Sequence, residues 1–493
     1  MPPMKTLATG LLSAACFSLL ALPPAAAQSA KPRPRPKAPA TAAKAPAAPA
    51  APKETPPPGS APRDFKLPPR EDFTLANGMQ ARLVPFGEIP KMTLLLTIQA
   101  GNVHEPDGQV GISDLLSRLL KEGTPSRPAA ALAEQVARMG GSLSIGNGAD
   151  ETYVRADCLS EFAPQLIALL ADVVQHPSLP ASELPRLKAD FKRQLNLLRA
   201  RPGFQAEIKM REAVYAGHPY GRPLPTDAQI DALTLEQAKA FYTNEYGAKR
   251  TAIFAAGKFD APALRQAIET NWTSWPAGPA PRILAAKALT KPAVLTQDRP
   301  GAPQSTLVIG LPVIDPTNPD YIRLRVTNSL LGGSFGSRIT RNIREDKGYT
   351  YSPYSYIDTN YRSGLWMEQA DVTTKDTYNS LHEIVKEIER LQTTPPSAEE
   401  LKGIQNYETG MFVLRNSTPG GIINQLSTMH LQGLPDTYLT EQVQNINAVT
   451  PAQVSATARK YVRPEAMTTV VVGDQKVIAP QLKQYKAEQK KPL

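Results

Sequence analysis

The 493-residue chain is poor in the residues that staple or metallate a fold: two cysteines and five histidines. Cys16 falls in an amino-terminal export segment, so Cys158 stands alone in the remainder. A lone cysteine excludes an internal disulfide, and stability must come from packed cores, with Cys158 expected as a small buried side chain. The histidines are His104, His176, His218, His382 and His430, and no two lie within one helical turn. That excludes a metal site built on a helical histidine pair. His104-Glu105 is expected in a loop and His218 packed at another. Beyond the amino terminus no run is long and apolar enough to cross a bilayer.

Residues 1–27 have the layout of a secretory signal. Lys5 supplies the positive start, Leu7–Leu22 a short interrupted apolar stretch, and Ala25-Ala26-Ala27 a small-residue cleavage site. Lipoprotein processing at Cys16 fits poorly, because Ser13 lies three positions before it and the apolar run continues past it. The chain is therefore expected to be exported, to the periplasm. Residues 28–63 follow as a Pro/Ala/Lys linker with 11 prolines in 36 residues, too poor in large apolar groups to form a core. Residues 1–63 carry eight Lys/Arg and one Glu, net +7, which leaves only +3 of the total +10 for the rest. The basicity thus belongs to the leader and linker and does not argue for nucleic acid. The linker is expected to be a solvated tether, with weak contact to an anionic envelope surface as the alternative. The last nine residues, 485–493, are also expected to be unstructured.

The folded part reads as a duplication. IDALTLEQAKAF from Ile230 and INAVTPAQVSAT from Ile446 align at an offset of 216, and the same offset sets Gly257 on Gly473. Pro90–Ile98 pairs with Pro303–Leu311 at 213, and Leu184 falls on Leu401 at 217. A near-constant offset implies two copies of one domain, 64–280 and 281–484, joined near Trp275–Pro281. Within the first copy, Phe73–Val84 predicts a hairpin turning at Asn77–Gly78. Met92–Ile98 and Thr251–Ala256 predict strands, and Gly111–Lys121, Phe162–Gln175, Leu184–Arg201 and Gln237–Tyr246 helices. In the second copy Thr306–Leu311 is an expected strand, Leu381–Leu391 a helix, and Ser397-x-x-Glu400 a capping box opening the next. Strands and helices alternate without strict βαβ order, which predicts an α+β fold with a largely antiparallel sheet and packed helices in each copy.

The stretch Leu330–Tyr356, LLGGSFGSRITRNIREDKGYTYSPYSY, carries the most chemistry. A helical run from Tyr321 stops at Gly332-Gly333. A second begins at Ser334 or Ser337, keeps Ile339 and Ile343 on one face, and ends at Gly348. A tyrosine-rich strand follows. The glycines are no phosphate cradle, since the Gly-Lys-Ser/Thr ending is missing and no clear strand precedes them. Arg344 on the last helical turn and Tyr351 after the Gly348 turn can be aimed at one place. Taken alone, the stretch reads first as a helix–turn–strand corner with a surface Arg and a packed Tyr.

From about residue 70 to 475 the chain resembles the pitrilysin, or insulinase-type, metallopeptidase family. That family has two homologous domains per chain and an H-x-x-E-H zinc motif on a helix of the first. The frame of that helix is present in GNVHEPDGQVGISDLLSRLLKEGT, Gly101–Thr124. The resemblance implies that Asp114 stands for the first histidine, Ser117 for the base glutamate and Arg118 for the second histidine. The distant glutamate ligand falls near Gln194. Serine is no carboxylate base, and a cation at Arg118 repels Zn²⁺. Asp114 and Arg118, spaced i, i+4, are expected to pair. A different metal held by Asp114, Ser117 and Gln194 is the minor alternative.

LLGGSFGSRITRNIREDKGYTY is similar to the family's Arg/Tyr signature, which implies Arg344 and Tyr351 as the pair, with Tyr349 the competing tyrosine. In active members this pair faces the zinc helix across a closed chamber, where a cationic and a phenolic donor suit a tetrahedral intermediate. The family includes two-chain proteases in which one subunit has the zinc and the other the Arg/Tyr pair. The resemblance thus implies an exported non-zinc subunit forming half of a clam-like chamber. It would hold no cofactor itself and act on peptides or unfolded segments with a zinc-bearing paralogous partner. A non-catalytic scaffold or peptide-binding module is the alternative, and a stand-alone hydrolase with a rewired site a third.

Overall fold

The computed structural model describes residues 65–282, 284–290 and 292–488. The expected signal 1–27 and linker 28–63 lie outside the described residues. Two sheets organise the rest, and their strands are β1 Glu71–Thr74, β2 Gln80–Pro85, β3 Lys91–Ile98, β4 Ser142–Asn147, β5 Thr152–Leu159, β6 Thr251–Gly257, β7 Ala293–Asp298, β8 Gln304–Val313, β9 Tyr354–Asn360, β10 Ser363–Thr373 and β11 Thr468–Gly473. The helices that matter for the site are α1 Ile112–Leu119, α2 Leu184–Arg199, α3 Pro202–Val214, α4 Leu235–Glu245, α5 Tyr321–Asn328, α6 Thr377–Thr393, α7 Ala398–Arg415, α8 Pro419–Gln432, α9 Pro451–Tyr461 and α10 Gln475–Glu488.

The first sheet runs β1-β2-β6-β3-β5-β4 and the second β9-β10-β8-β11-β7. Without β1, the two orders are the same pattern read from opposite ends. Even the single parallel pair recurs. Pro85 is opposite Gly257 where β2 meets β6, and Asp298 is opposite Gly473 where β7 meets β11. All other sheet pairings are antiparallel. The duplication extends to the helix starts. Thr234 caps α4 and exchanges hydrogen bonds with Gln237, and Thr450 does the same with Gln453 ahead of α9.

Each sheet buries one face under its own helices. Leu94 and Leu96 meet Leu115 and Leu119 in the first copy, and Ile309 and Trp366 meet Ile384 and Ile388 in the second. The opposite faces are covered reciprocally. α3 of the first copy lays Ala206, Met210 and Val214 on Val308, Met367 and Val470 of the second sheet. α8 of the second copy lays Ile422, Ile423 and Leu426 on Val84, Leu95 and Phe254 of the first. Since burying a large aliphatic side chain contributes about 1.5–3 kcal/mol, this exchange fixes the two copies as one unit. Cys158 is fully buried on β5, and burial pushes its thiol up to about 12.

Three expectations need correction. The carboxyl-terminal tail does not begin at 485, because α10 runs to Glu488 and buries Tyr485 against the second core. Ser397 accepts the Glu400 N–H at 3.0 Å, but the Glu400 carboxylate does not return to Ser397; it takes a bidentate bond from Arg338 instead. The stretch after Tyr321 is not plain α-helix, since the chain widens to π-type turns at Ser329–Gly333 and Thr340–Asp346. The first of these ends where Gly332 passes close to Ser355 and Glu368.

Candidate functional site

On α1 the apolar positions Leu115, Leu116 and Leu119 face inward and leave Asp114 and Arg118 half-buried on the other side. Glu105 holds the start of this helix. Its carboxylate accepts the Gly111 N–H at 3.1 Å and the Ser113 N–H at 3.2 Å, which suits a helix N-terminus. Burial pushes the Glu105 carboxyl upward, against these hydrogen bonds. His104 precedes it, buried, with Nδ1 accepting the Gly101 N–H at 3.2 Å and Nε2 3.3 Å from the Arg282 carbonyl. His218 is engaged in the same way, by the Tyr220 N–H and the Leu284 carbonyl. Both histidines hold loops together.

Asp114, Ser117, Arg118 and Gln194 are brought together, but Asp114 and Arg118 make no ion pair. Arg118 Nη2 reaches across to α2 and donates to Gln194 Oε1 at 2.8 Å. Its guanidinium lies 4.7 Å from the Phe191 ring centroid, one helical turn before Gln194. Asp114 accepts from Asn102 Nδ2 at 2.8 Å. Burial raises the Asp114 carboxyl, opposed by that bond, by the Arg118 charge and by Asn147. Ser117 Oγ donates to the Asp114 carbonyl of its own helix at 2.8 Å. The planar guanidinium prefers the neutral amide and the aromatic face on α2 to its helix neighbour, which is already committed to Asn102. Asp114, Ser117 and Gln194 are therefore each taken by a different partner. Among the described residues no group of three or more His, Cys, Asp or Glu is placed to hold a metal ion. Asn102, Asn147 and Phe191 carry no motif, and their part in this site was not visible in the sequence.

Arg344 and Tyr351 sit at a corner of the second copy. Gly348 there has φ +65°, the left-handed conformation that suits glycine. The Tyr349 N–H closes the turn on the Ile343 carbonyl at 2.9 Å. Thr350 then pairs with Val372 beside β10, and β9 itself begins only at Tyr354, so Tyr351 precedes the strand instead of opening it. The two tyrosines separate clearly. Tyr349 packs against the second core, whereas Tyr351 is 84% exposed. The Arg344 guanidinium lies 4.1 Å from the centroid of Phe335, itself 72% exposed, with Nε 3.4 Å from Glu345. No hydrogen bond joins Arg344 to Tyr351. Phe335 was missed in the sequence. An exposed aromatic within a Gly/Ser run was its only signal.

Residues 88–228 match the family model described as insulinase (peptidase family M16), and residues 232–407 match the peptidase M16 inactive domain. The chain belongs to the M16 peptidase family. A protein of Bacillus subtilis, called an uncharacterized zinc protease YmxG, is 24% identical over 79% of this chain and 94% of its own length. A Helicobacter pylori relative, called a non-peptidase homolog YmxG, is 21% identical over 79% of this chain and 90% of its own. A crystal structure described as a peptidase M16 inactive domain from Pseudomonas fluorescens superposes with a TM-score of 0.75 at 25% identity, covering 82% of this chain and 98% of that one. Asp114, Ser117 and Arg118 lie within the stretch 88–228 that matches the insulinase (peptidase family M16) model. Among the described residues no helix is long and apolar enough to cross a membrane.

Proposed function

We propose that this chain is the non-zinc subunit of an exported heteromeric M16 endopeptidase, supplying Arg344 and Tyr351 in trans to a zinc-bearing paralogous partner. The observation that carries this is the contrast between the two sites. The α1 positions are closed by the Arg118–Gln194 bond, while Tyr351 is 84% exposed and its hydroxyl has no hydrogen-bond partner among the described residues. The exposed phenol can donate to a developing oxyanion, and the guanidinium can hold a substrate carbonyl. The partner's zinc would supply the activated water. Export rests on the signal-like residues 1–27, and the periplasm is the compartment proposed.

The test is peptide hydrolysis by the purified chain alone, by a relative that carries H-x-x-E-H, and by the two mixed. The expected result is turnover only, or far more strongly, in the mixture. Equal turnover with and without this chain would leave a scaffold or peptide-binding role in its place.

A further inference from the structure

A cavity of about 750 Å³ opens in the second copy between residues 334–346, α6 and α7. That size lies in the range of sites for small ligands. Three residues that line it carry buried polar atoms with no hydrogen-bond partner: Ser334 Oγ, Arg338 Nη1 and Asn342 Oδ1. All three residues are at least nine-tenths buried. Nor are they at liberty to turn elsewhere. Arg338 uses Nε and Nη2 on Glu400 at 2.9 and 2.8 Å, and Asn342 uses Nδ2 on Glu383 and Glu387, each at 2.8 Å. Native interiors pair nearly all such groups, so three orphans on one short segment require an explanation.

Charge narrows the ligand. The cavity wall has three guanidiniums against four carboxylates, and its more buried ions are already paired, Arg338 with Glu400, and Glu387 with the exposed Arg390. An anion would meet the exposed Glu399 and Asp346, and a cation would compete with Arg341. The unused capacity is neutral: N–H and O–H donors from Arg338 and Ser334, and an amide oxygen from Asn342. A peptide amide offers the complement, a carbonyl to accept and an N–H to donate. The remaining wall is apolar, with buried Leu330 and Ile404 and with Phe335 and Tyr407 that are 72% and 42% exposed.

We propose that this cavity binds a short neutral peptide segment, its main-chain amide on Ser334, Arg338 and Asn342 and an apolar side chain against Phe335 and Tyr407. Arg341 is exposed on the cavity wall, so it can give way to an entering ligand. Phe335 also carries the Arg344 guanidinium, so the cavity adjoins the Arg344/Tyr351 corner. The choice of a peptide among neutral amides rests on the proposed peptidase role.

The experiment titrates the capped peptide Ac-Ala-Phe-Ala-NH2 into the purified chain and reads binding by NMR. Gly403→Phe is the control, because Gly403 lines the cavity on α7 and a Cβ there meets nothing within 4 Å. The added ring fills the cavity while the helix is kept. The expected result is saturable binding that weakens by more than about tenfold in Gly403→Phe. The free acid Ac-Ala-Phe-Ala-OH is expected to bind more weakly than the amide. No binding by the wild type, or equal binding by Gly403→Phe, overturns the proposal. A free acid that binds as tightly as the amide overturns the neutral-amide assignment. The titration uses the chain alone, so its failure is read separately from failure of the mixed-subunit assay.

Discussion

Arg118 and Gln194, 76 residues apart in sequence, are joined by a 2.8 Å hydrogen bond between α1 and α2. The bond ties α1 to α2 with a cation and a neutral amide. Neither group is a good zinc ligand, and the cation opposes Zn²⁺ outright.

Zinc content follows from this. Elemental analysis of the purified chain is expected to find well below one tightly held zinc per molecule, with no chelator-sensitive peptidase activity. About one zinc per chain that survives desalting would contradict it.

Much of this architecture was legible beforehand, for identifiable reasons. The offset of 216 was readable because Thr234/Gln237 and Thr450/Gln453 cap equivalent helices by the same local chemistry. The Gly348 turn was readable because its left-handed backbone favours glycine. What failed was decided by partners distant in sequence. Arg118 left its helix neighbour for α2, and Glu400 left its capping serine for Arg338, 62 residues away. The π-type turns at 329–333 and 340–346 carry no distinct periodicity, because the first accommodates contacts with β9 and β10 and the second contacts with α6. The reciprocal covering of the sheets by α3 and α8 likewise depends on where two distant helices land.

Gly332 illustrates such a contact. A Cβ there would sit 2.5 Å from Glu368 Oε2 and 2.6 Å from Ser355 Oγ. Glu368 is fully buried with neither carboxyl oxygen paired, and burial holds its carboxyl well above the usual range. Gly332→Ala is expected to cost about 1–3 kcal/mol by overpacking, read by chemical denaturation. Wild-type stability would contradict this close approach.

Glu151, in the turn before β5, supplies a pH dependence. Burial pushes its carboxyl from the ordinary 4.5 to about 7, aided by the Asp150 charge and opposed by a Thr97 hydrogen bond. Between these values the native state holds a proton that the unfolded state has lost. Its contribution to stability is therefore full below about pH 4.5 and falls as pH rises to about 7. Glu151→Gln removes the titration. Relative to wild type, the variant is expected to gain on the order of 1–3 kcal/mol between pH 4.5 and pH 8. Denaturation curves at the two pH values check this, and parallel changes in both proteins would contradict it.

The central claim concerns Tyr351, and steady-state kinetics of the mixed complex test it most directly. Tyr351→Phe removes one exposed hydroxyl and leaves the Gly348 turn and the β10 pairing intact. With the partner's zinc content verified in each mixture, the account predicts a fall in kcat of roughly 10²–10³-fold, the usual cost of one oxyanion donor, and a much smaller change in KM. Unchanged kcat in the mixture carrying Tyr351→Phe would contradict it.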